Sequence, residues 1–183
     1  GRSGSKIMLH STNTPDRLNQ NYDSEGCIVV NDSQIKELDQ FIRVGLTPIL
    51  VYDTIPEEAL HPERQGKLHE FFQRWLATWE QKSLDAYIDL YHSDFKNRGM
   101  DKAKWKTYKS DLARRYASIS VKAEDVLYLR HPKYSVVMFT QDYHSKFKDG
   151  RTAFQSRGTK LLYVAEEDGQ SKVITEASSN LHW

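Results

Sequence analysis

Only one cysteine, Cys27, occurs among the 183 residues, so no disulfide can close within the chain and the redox compartment is left undetermined. Neither sign of charge dominates. The 26 Lys and Arg stand against 25 Asp and Glu, and the basic residues are scattered, which removes the electrostatic case for nucleic acid. No apolar run approaches the roughly 20 residues of a membrane span. His69, His92, His131, His144 and His182 lack ligand spacing, so no metal is expected, and no cofactor either. Internal repeats and low-complexity stretches are absent. The chain opens Gly1-Arg2-Ser3-Gly4-Ser5, without Met and without a charged-then-apolar leader, and is read as a piece of a longer protein.

What is present divides into two segments. A hydrophobic content of 38% with 11% aromatics is enough for a core, at a length suited to one domain or one domain plus a fragment. Residues 1–53 read as strand, loop, tight turn, helix, strand. Lys6 to His10 is a short apolar strand, Ser11 to Asp23 a polar loop, and Asn31-Asp32-Ser33 an N-cap. The helix that follows carries Ile35, Leu38 and Ile42 on one face, Gly45 stops it, and Thr47 to Tyr52 returns as a strand. These elements are too few for an independent core. Residues 54–61, with Pro56, form a linker.

Residues 62–183 have a different grammar. Pro62 suits a first helical turn, and Leu68, Phe71, Phe72, Trp75, Leu76 and Trp79 keep helical spacing. Ser83 caps a second helix bearing Leu84, Tyr87, Ile88 and Tyr91. Asp101 caps a third bearing Trp105, Tyr108, Leu112 and Tyr116. The period then changes to strands at Ser118 to Arg130 and Tyr134 to Lys148. Asp149-Gly150 and Asp168-Gly169 mark hairpin turns, the second between Lys160 to Ala165 and Lys172 to Glu176. Helices followed by antiparallel strands predict an α+β fold.

On residue type alone, Cys27 fits a small buried hydrophobe. Its neighbours point elsewhere. It follows Gly26 in the run Ser24-Glu25-Gly26-Cys27, and His10 lies 17 positions upstream. A thiol needs a base or an electropositive turn to be reactive at neutral pH.

From Leu9 to Ile49 the chain resembles the C-terminal part of the L,D-transpeptidase catalytic domain. That family ends a strand in His-Gly-Thr and follows a loop with Ser-His-Gly-Cys-Ile-Arg, an Asn, a helix and a Gly-Thr-Pro-Val strand. Here the positions read Leu9-His10-Ser11-Thr12, Ser24-Glu25-Gly26-Cys27-Ile28-Val29, Asn31 and Val44-Gly45-Leu46-Thr47-Pro48-Ile49. Glu25 stands for the motif His, Val29 for the Arg and Ser11 for the Gly. The relaxed motif is similar to the branch that trims or crosslinks peptidoglycan in bacteria with shaped cells, where L,D-carboxypeptidases occur. In that branch a domain of the nuclear transport factor 2-like fold follows. Residues 62–183 resemble that fold, in which three helices pack on a curved antiparallel sheet, through Phe71 to Trp79, Leu84 to Tyr91, Asp94-Phe95 and Trp105.

The resemblance implies Cys27 as nucleophile and His10 as base, with the Ser24, Glu25 and Gly26 turn holding the oxyanion. It implies peptidoglycan stem peptides as substrate, and a periplasmic or cell-envelope location reached by a signal peptide upstream. A backbone carbonyl would orient His10. In the second domain Trp75, Tyr87, Tyr91, Trp105, Tyr108 and Tyr143 are candidate pocket residues, with Asp89, His92 or Glu176 as polar groups; plain aromatic core is the competing reading. The same domain is the candidate surface for a homodimer. Two rival functions stay open. One is a non-catalytic ligand- or partner-binding domain carrying a remnant of a catalytic domain, and the other a small-ligand enzyme in the second domain with an acid such as Asp89.

Overall fold

The computed structural model describes residues 8–19, 26–43, 47–55, 57, 66–131 and 133–180. They fall into two compact units, Gly1–Ile49 and Leu50–Trp183. Ser24 and Glu25, the helix stop at Val44-Gly45-Leu46, most of the 54–61 linker and Pro62 lie outside the described residues.

In the first unit, strand β1 (Leu9–Ser11) pairs in parallel with β2 (Ile28–Val30), placing Leu9 opposite Ile28, His10 opposite Val29 and Ser11 opposite Val30. The loop between them is not wholly irregular, because Pro15–Asn19 forms a 3-10 helix. Helix α1 (Asp32–Asp39) starts at Asn31, whose side chain accepts from the Gln34 N–H while the Gln34 side chain accepts from the Asn31 N–H. This reciprocal cap satisfies two donors that would otherwise have no partner. Ile35 and Leu38 are its half-buried residues. The helix closes at Gln40, earlier than Gly45, and Ile42 lies beyond it. Thr47 to Tyr52 is not a strand either. Ile49, Leu50 and Val51 are exposed and no described strand pairs with them, and extended backbone without a ladder has nothing to hold it.

The second unit begins with helices α2 (Gly66–Glu80), α3 (Leu84–Asp89) and α4 (Lys102–Arg115). The two-residue strands β3 (Lys96–Asn97) and β4 (Met100–Asp101) form a hairpin before α4. Asp101 caps α4 by accepting from the Lys104 N–H at 2.9 Å. Ser83 occupies the N-cap of α3 but its hydroxyl makes no capping bond. Its ψ of 72° departs from the extended geometry of an ordinary cap, and Lys82 before it has φ 55°.

Strands β5 (Ser118–His131), β6 (Tyr134–Lys146), β7 (Thr152–Glu167) and β8 (Gln170–Asn180) make an antiparallel sheet in that order. The register of β5 against β6 shifts between Glu124 and Leu127, where Asp125 has φ 52°; such a bulge bends the strand. Asp168 (φ 53°) and Gly169 (φ 73°) close the β7–β8 hairpin with two left-handed residues, the turn whose twist matches the strands. The end of α3 is tied to β8, where the Val173 N–H donates to the Leu90 carbonyl at 2.8 Å and the His92 N–H to the Val173 carbonyl at 3.0 Å. Between helices and sheet lies a core led by Phe72, Trp75, Tyr87, Tyr91, Phe95, Phe139 and Leu162.

Candidate functional site

In the first unit the site rests on strand register. His10 faces Val29 across the parallel ladder, and Cys27 precedes Val29 by two residues. Extended backbone alternates faces, so a strand continued back to position 27 would carry it on the side of His10. Ordinary strand rise and spacing would then separate the two positions by about 8 Å. The ladder extends to this point, since the Ile28 N–H donates to the Met8 carbonyl at 2.9 Å. Gly26, with φ 106°, lets the chain turn into Cys27 in a conformation that other residues rarely adopt. His10 and Cys27 are both half-buried.

His10 Nδ1 lies 2.8 Å from the Ser11 carbonyl oxygen. A carbonyl only accepts, so Nδ1 carries the proton in this contact, which in the neutral imidazole leaves Nε2 its lone pair. Of the oxyanion turn, Gly26 alone is among the described residues.

The second unit holds a pocket of about 240 Å³ between helices and sheet. Trp75 and Trp79 of α2 and Tyr108, Lys109 and Leu112 of α4 form one side, with Tyr116 beyond α4. Gln141 and Tyr143 of β6, and Phe154, Ser156 and Lys160 of β7, form the other. Of the six pocket residues predicted from sequence, Trp75, Tyr108 and Tyr143 line it. Tyr87, Tyr91 and Trp105 do not; they are buried behind it as aromatic core. Asp89 also lies elsewhere. Its carboxylate is largely exposed and sits 3.3 Å from Lys172 Nζ. His92 is 3.6 Å from the Glu167 carboxylate and is not part of the lining.

Glu176 is different, because it lies at the centre of a buried polar chain. The Trp75 indole N–H donates to the Tyr91 hydroxyl at 3.0 Å, Tyr91 donates to Glu176 Oε1 and lies in short contact with the Tyr87 hydroxyl, and Lys160 donates to Glu176 Oε2. Burial raises the Glu176 carboxyl, but Lys160 and Lys109 outweigh it and hold the group below its ordinary range. Burial, reinforced by the Glu176 charge, pushes the Tyr87 and Tyr91 hydroxyls well above theirs. Both stay protonated donors at neutral pH.

Lys109 is 9% exposed and, among the described residues, makes neither a hydrogen bond nor an ion pair. Its ammonium lies over the rings of Trp79, Trp105 and Tyr87 at 4.0, 4.8 and 5.2 Å. Burial pulls it down from 10.5 to about 8. Sequence reading passed over both lysines. The signal was there for Lys109, which falls on the helical face of Trp105, Leu112 and Tyr116, a polar residue at an apolar position. Lys160 likewise shares its strand face with Leu162 and Val164.

Residues 67–177 match the family model of the Cds6 C-terminal NTF2-like domain. The chain belongs to the Cds6 C-terminal NTF2-like family. Residues 1–51 match the YkuD L,D-transpeptidase catalytic domain, so the Cds6-type domain follows part of a catalytic domain. No curated protein matches the chain.

Among solved structures, Bd1075 of Bdellovibrio bacteriovorus is 28% identical over 99% of this chain and 63% of its own, with a TM-score of 0.76. A point mutant of Pgp2, the helical cell shape determining protein of Campylobacter jejuni, is 19% identical over 97% of this chain and 61% of its own, at 0.62. A putative dehydratase of the NTF2-like family from Streptomyces avermitilis shares the fold at 8% identity, over 70% of this chain and all of its own, at 0.56. The Cds6-type chain thus spans a little over three-fifths of the length of the two relatives that carry both units.

Proposed function

We propose that the chain is the C-terminal part of a cell-envelope cysteine enzyme that acts on peptidoglycan stem peptides as an L,D-transpeptidase or L,D-carboxypeptidase. The observation that supports this reading is the β1–β2 register, in which His10 pairs with Val29 two residues after Cys27, together with the contact of His10 Nδ1 with the Ser11 carbonyl.

In this reading His10 Nε2 takes the thiol proton as Cys27 Sγ attacks the carbonyl carbon between an L-centre and a D-centre. Backbone N–H groups at the Gly26 turn receive the oxyanion. Collapse of the tetrahedral adduct breaks the C–N bond, and the departing amine takes the proton from His10. The resulting thioester is resolved by a second amine, giving a crosslink, or by water, giving a shortened stem. His10 draws the proton from either one.

The NTF2-like domain is then an accessory unit that holds wall material or a partner, and a homodimer through this domain is part of the same proposal. The family match at residues 1–51 supports an envelope location, and the cell-shape role of Pgp2 is consistent with it. Muropeptide profiles of cells expressing the parent protein test the proposal. The wild type should shift stem-peptide length or crosslinking, and Cys27→Ala and His10→Ala should restore the profile of cells without it. A Cys27→Ala profile identical to wild type contradicts the proposal.

A further inference from the structure

Of the two lysines that line the pocket, Lys160 is engaged by Glu176 in the polar chain behind it and Lys109 is not. Lys109 is largely buried but its ammonium is not sealed from the pocket, since Trp105 Nε1 is the one fully buried polar side-chain atom without a partner among the described residues; partial desolvation of a charged donor is still costly. The rings beneath it recover part of that loss but offer no lone pair. Its charge is not cancelled by the pocket. Glu176 is committed to Lys160 and Tyr91, so two ammonium groups face one carboxylate and a single positive charge remains.

The groups facing Lys109 come from every packed element. They are the neutral rings of Trp75 and Trp79 on α2, Tyr87 on α3, Tyr143 on β6, Lys160 on β7 and Glu176 on β8. The missing partner is therefore one negative charge on a small body with flat or apolar faces for the tryptophans. A carboxylate beside a sugar ring or a peptide unit has that character.

We propose that the pocket binds a monoanionic carboxylate through the Lys109 ammonium, and that binding draws a proton onto Lys109. This rests on the reading of the NTF2-like domain as a binding unit for wall material and adds its ligand chemistry and its control. The sign follows from burial. The empty pocket favours the neutral amine, with half the lysines protonated near pH 8, whereas a bound anion favours the ammonium. Affinity is then nearly full at pH 7 and falls about tenfold by pH 9, in step with the protonated fraction.

Calorimetric titration of the chain at pH 7, 8 and 9 tests this with N-acetylmuramate, N-acetyl-D-alanine and the uncharged N-acetylglucosamine. The first two carry a sugar-linked and a peptide carboxylate, so their ranking identifies the source. The expected result is binding of at least one carboxylate in preference to N-acetylglucosamine, weaker by about tenfold at pH 9, with proton uptake that scales with buffer ionisation enthalpy at pH 8. Lys109→Met should abolish it, with a thermal transition no lower than the wild type's showing that the domain is folded. Lys109→Arg, charged throughout, should bind with no dependence on pH over this range. Equal affinity at pH 7 and 9, unchanged binding in Lys109→Met, or no preference for either carboxylate overturns the proposal. If intact muropeptides still bind in that case, the accessory-domain reading survives; if they do not, both fall.

Discussion

Lys160 Nζ donates to Glu176 Oε2 in a pair whose side chains are 13% and 1% exposed, so the carboxylate that answers Lys160 lies inside the core. Tyr91 holds the other carboxylate oxygen, leaving neither oxygen to solvent. Removing one member of such a pair leaves the other buried and uncompensated. Glu176→Ala should therefore cost about 3–5 kcal/mol in urea unfolding. Glu176→Gln, whose one amide oxygen can accept from Lys160 while its NH2 donates to the Tyr91 hydroxyl, should cost less. The pH dependence has a definite sign. The carboxyl is held below its ordinary 4.5, so its contribution is present above that value and lost as the pH falls through the folded-state value. The wild type should lose stability on acidification more steeply than Glu176→Gln.

Lys109 acts in the opposite direction. Its folded value of about 8 lies below the ordinary 10.5, so under pH 8 both states are protonated and folding bears the full cost of a buried ammonium, about 3 kcal/mol. Between pH 8 and 10.5 the unfolded chain binds the extra proton, and stability rises with pH. Lys109→Met should match or exceed wild-type stability at pH 7 and lose that rise. Chemical unfolding of both proteins at pH 7 and 9.5 measures the difference in slope.

The β7–β8 hairpin depends on backbone conformation more than on contacts. A Cβ at Gly169 would meet no atom within 4 Å, yet φ there is 73°. Gly169→Val should cost roughly 1–2 kcal/mol from the left-handed backbone alone. Gly169→Asn, tolerant of that region, should retain most of the stability. Midpoints of urea denaturation separate the two.

The helices and sheet of the second unit were legible because their periods are strong. Leu68, Phe71, Phe72, Trp75 and Trp79 repeat at helical spacing and all are buried, and Asp168-Gly169 adopts the turn its composition announces. Elements set by tertiary partners were not legible. Thr47 to Tyr52 reads as a strand because β-branched and apolar residues crowd it, but strand formation needs a neighbour that local sequence does not specify. The pocket was half legible. An aromatic at helical spacing announces burial but not whether it faces a cavity, so Tyr87 and Tyr91 read the same as Trp75. Lys109 and Lys160 were missed because lysine is ordinarily a surface residue, and only its place on an apolar face says otherwise. Cys27 and His10 could be paired in sequence only through the order and spacing of a family motif. The parallel register between β1 and β2 brings the segment that follows Cys27 beside His10.

The proposed function stands on Cys27 as a nucleophile served by His10. The rate of Cys27 alkylation by iodoacetamide at neutral pH, in the parent protein and in His10→Ala, tests it most directly. The expected result is a wild-type rate well above that of free cysteine and a clear fall in His10→Ala, with turnover of stem peptides dropping about 10²–10⁴-fold in the same variant. A wild-type rate equal to that of free cysteine and unchanged by His10→Ala would contradict it.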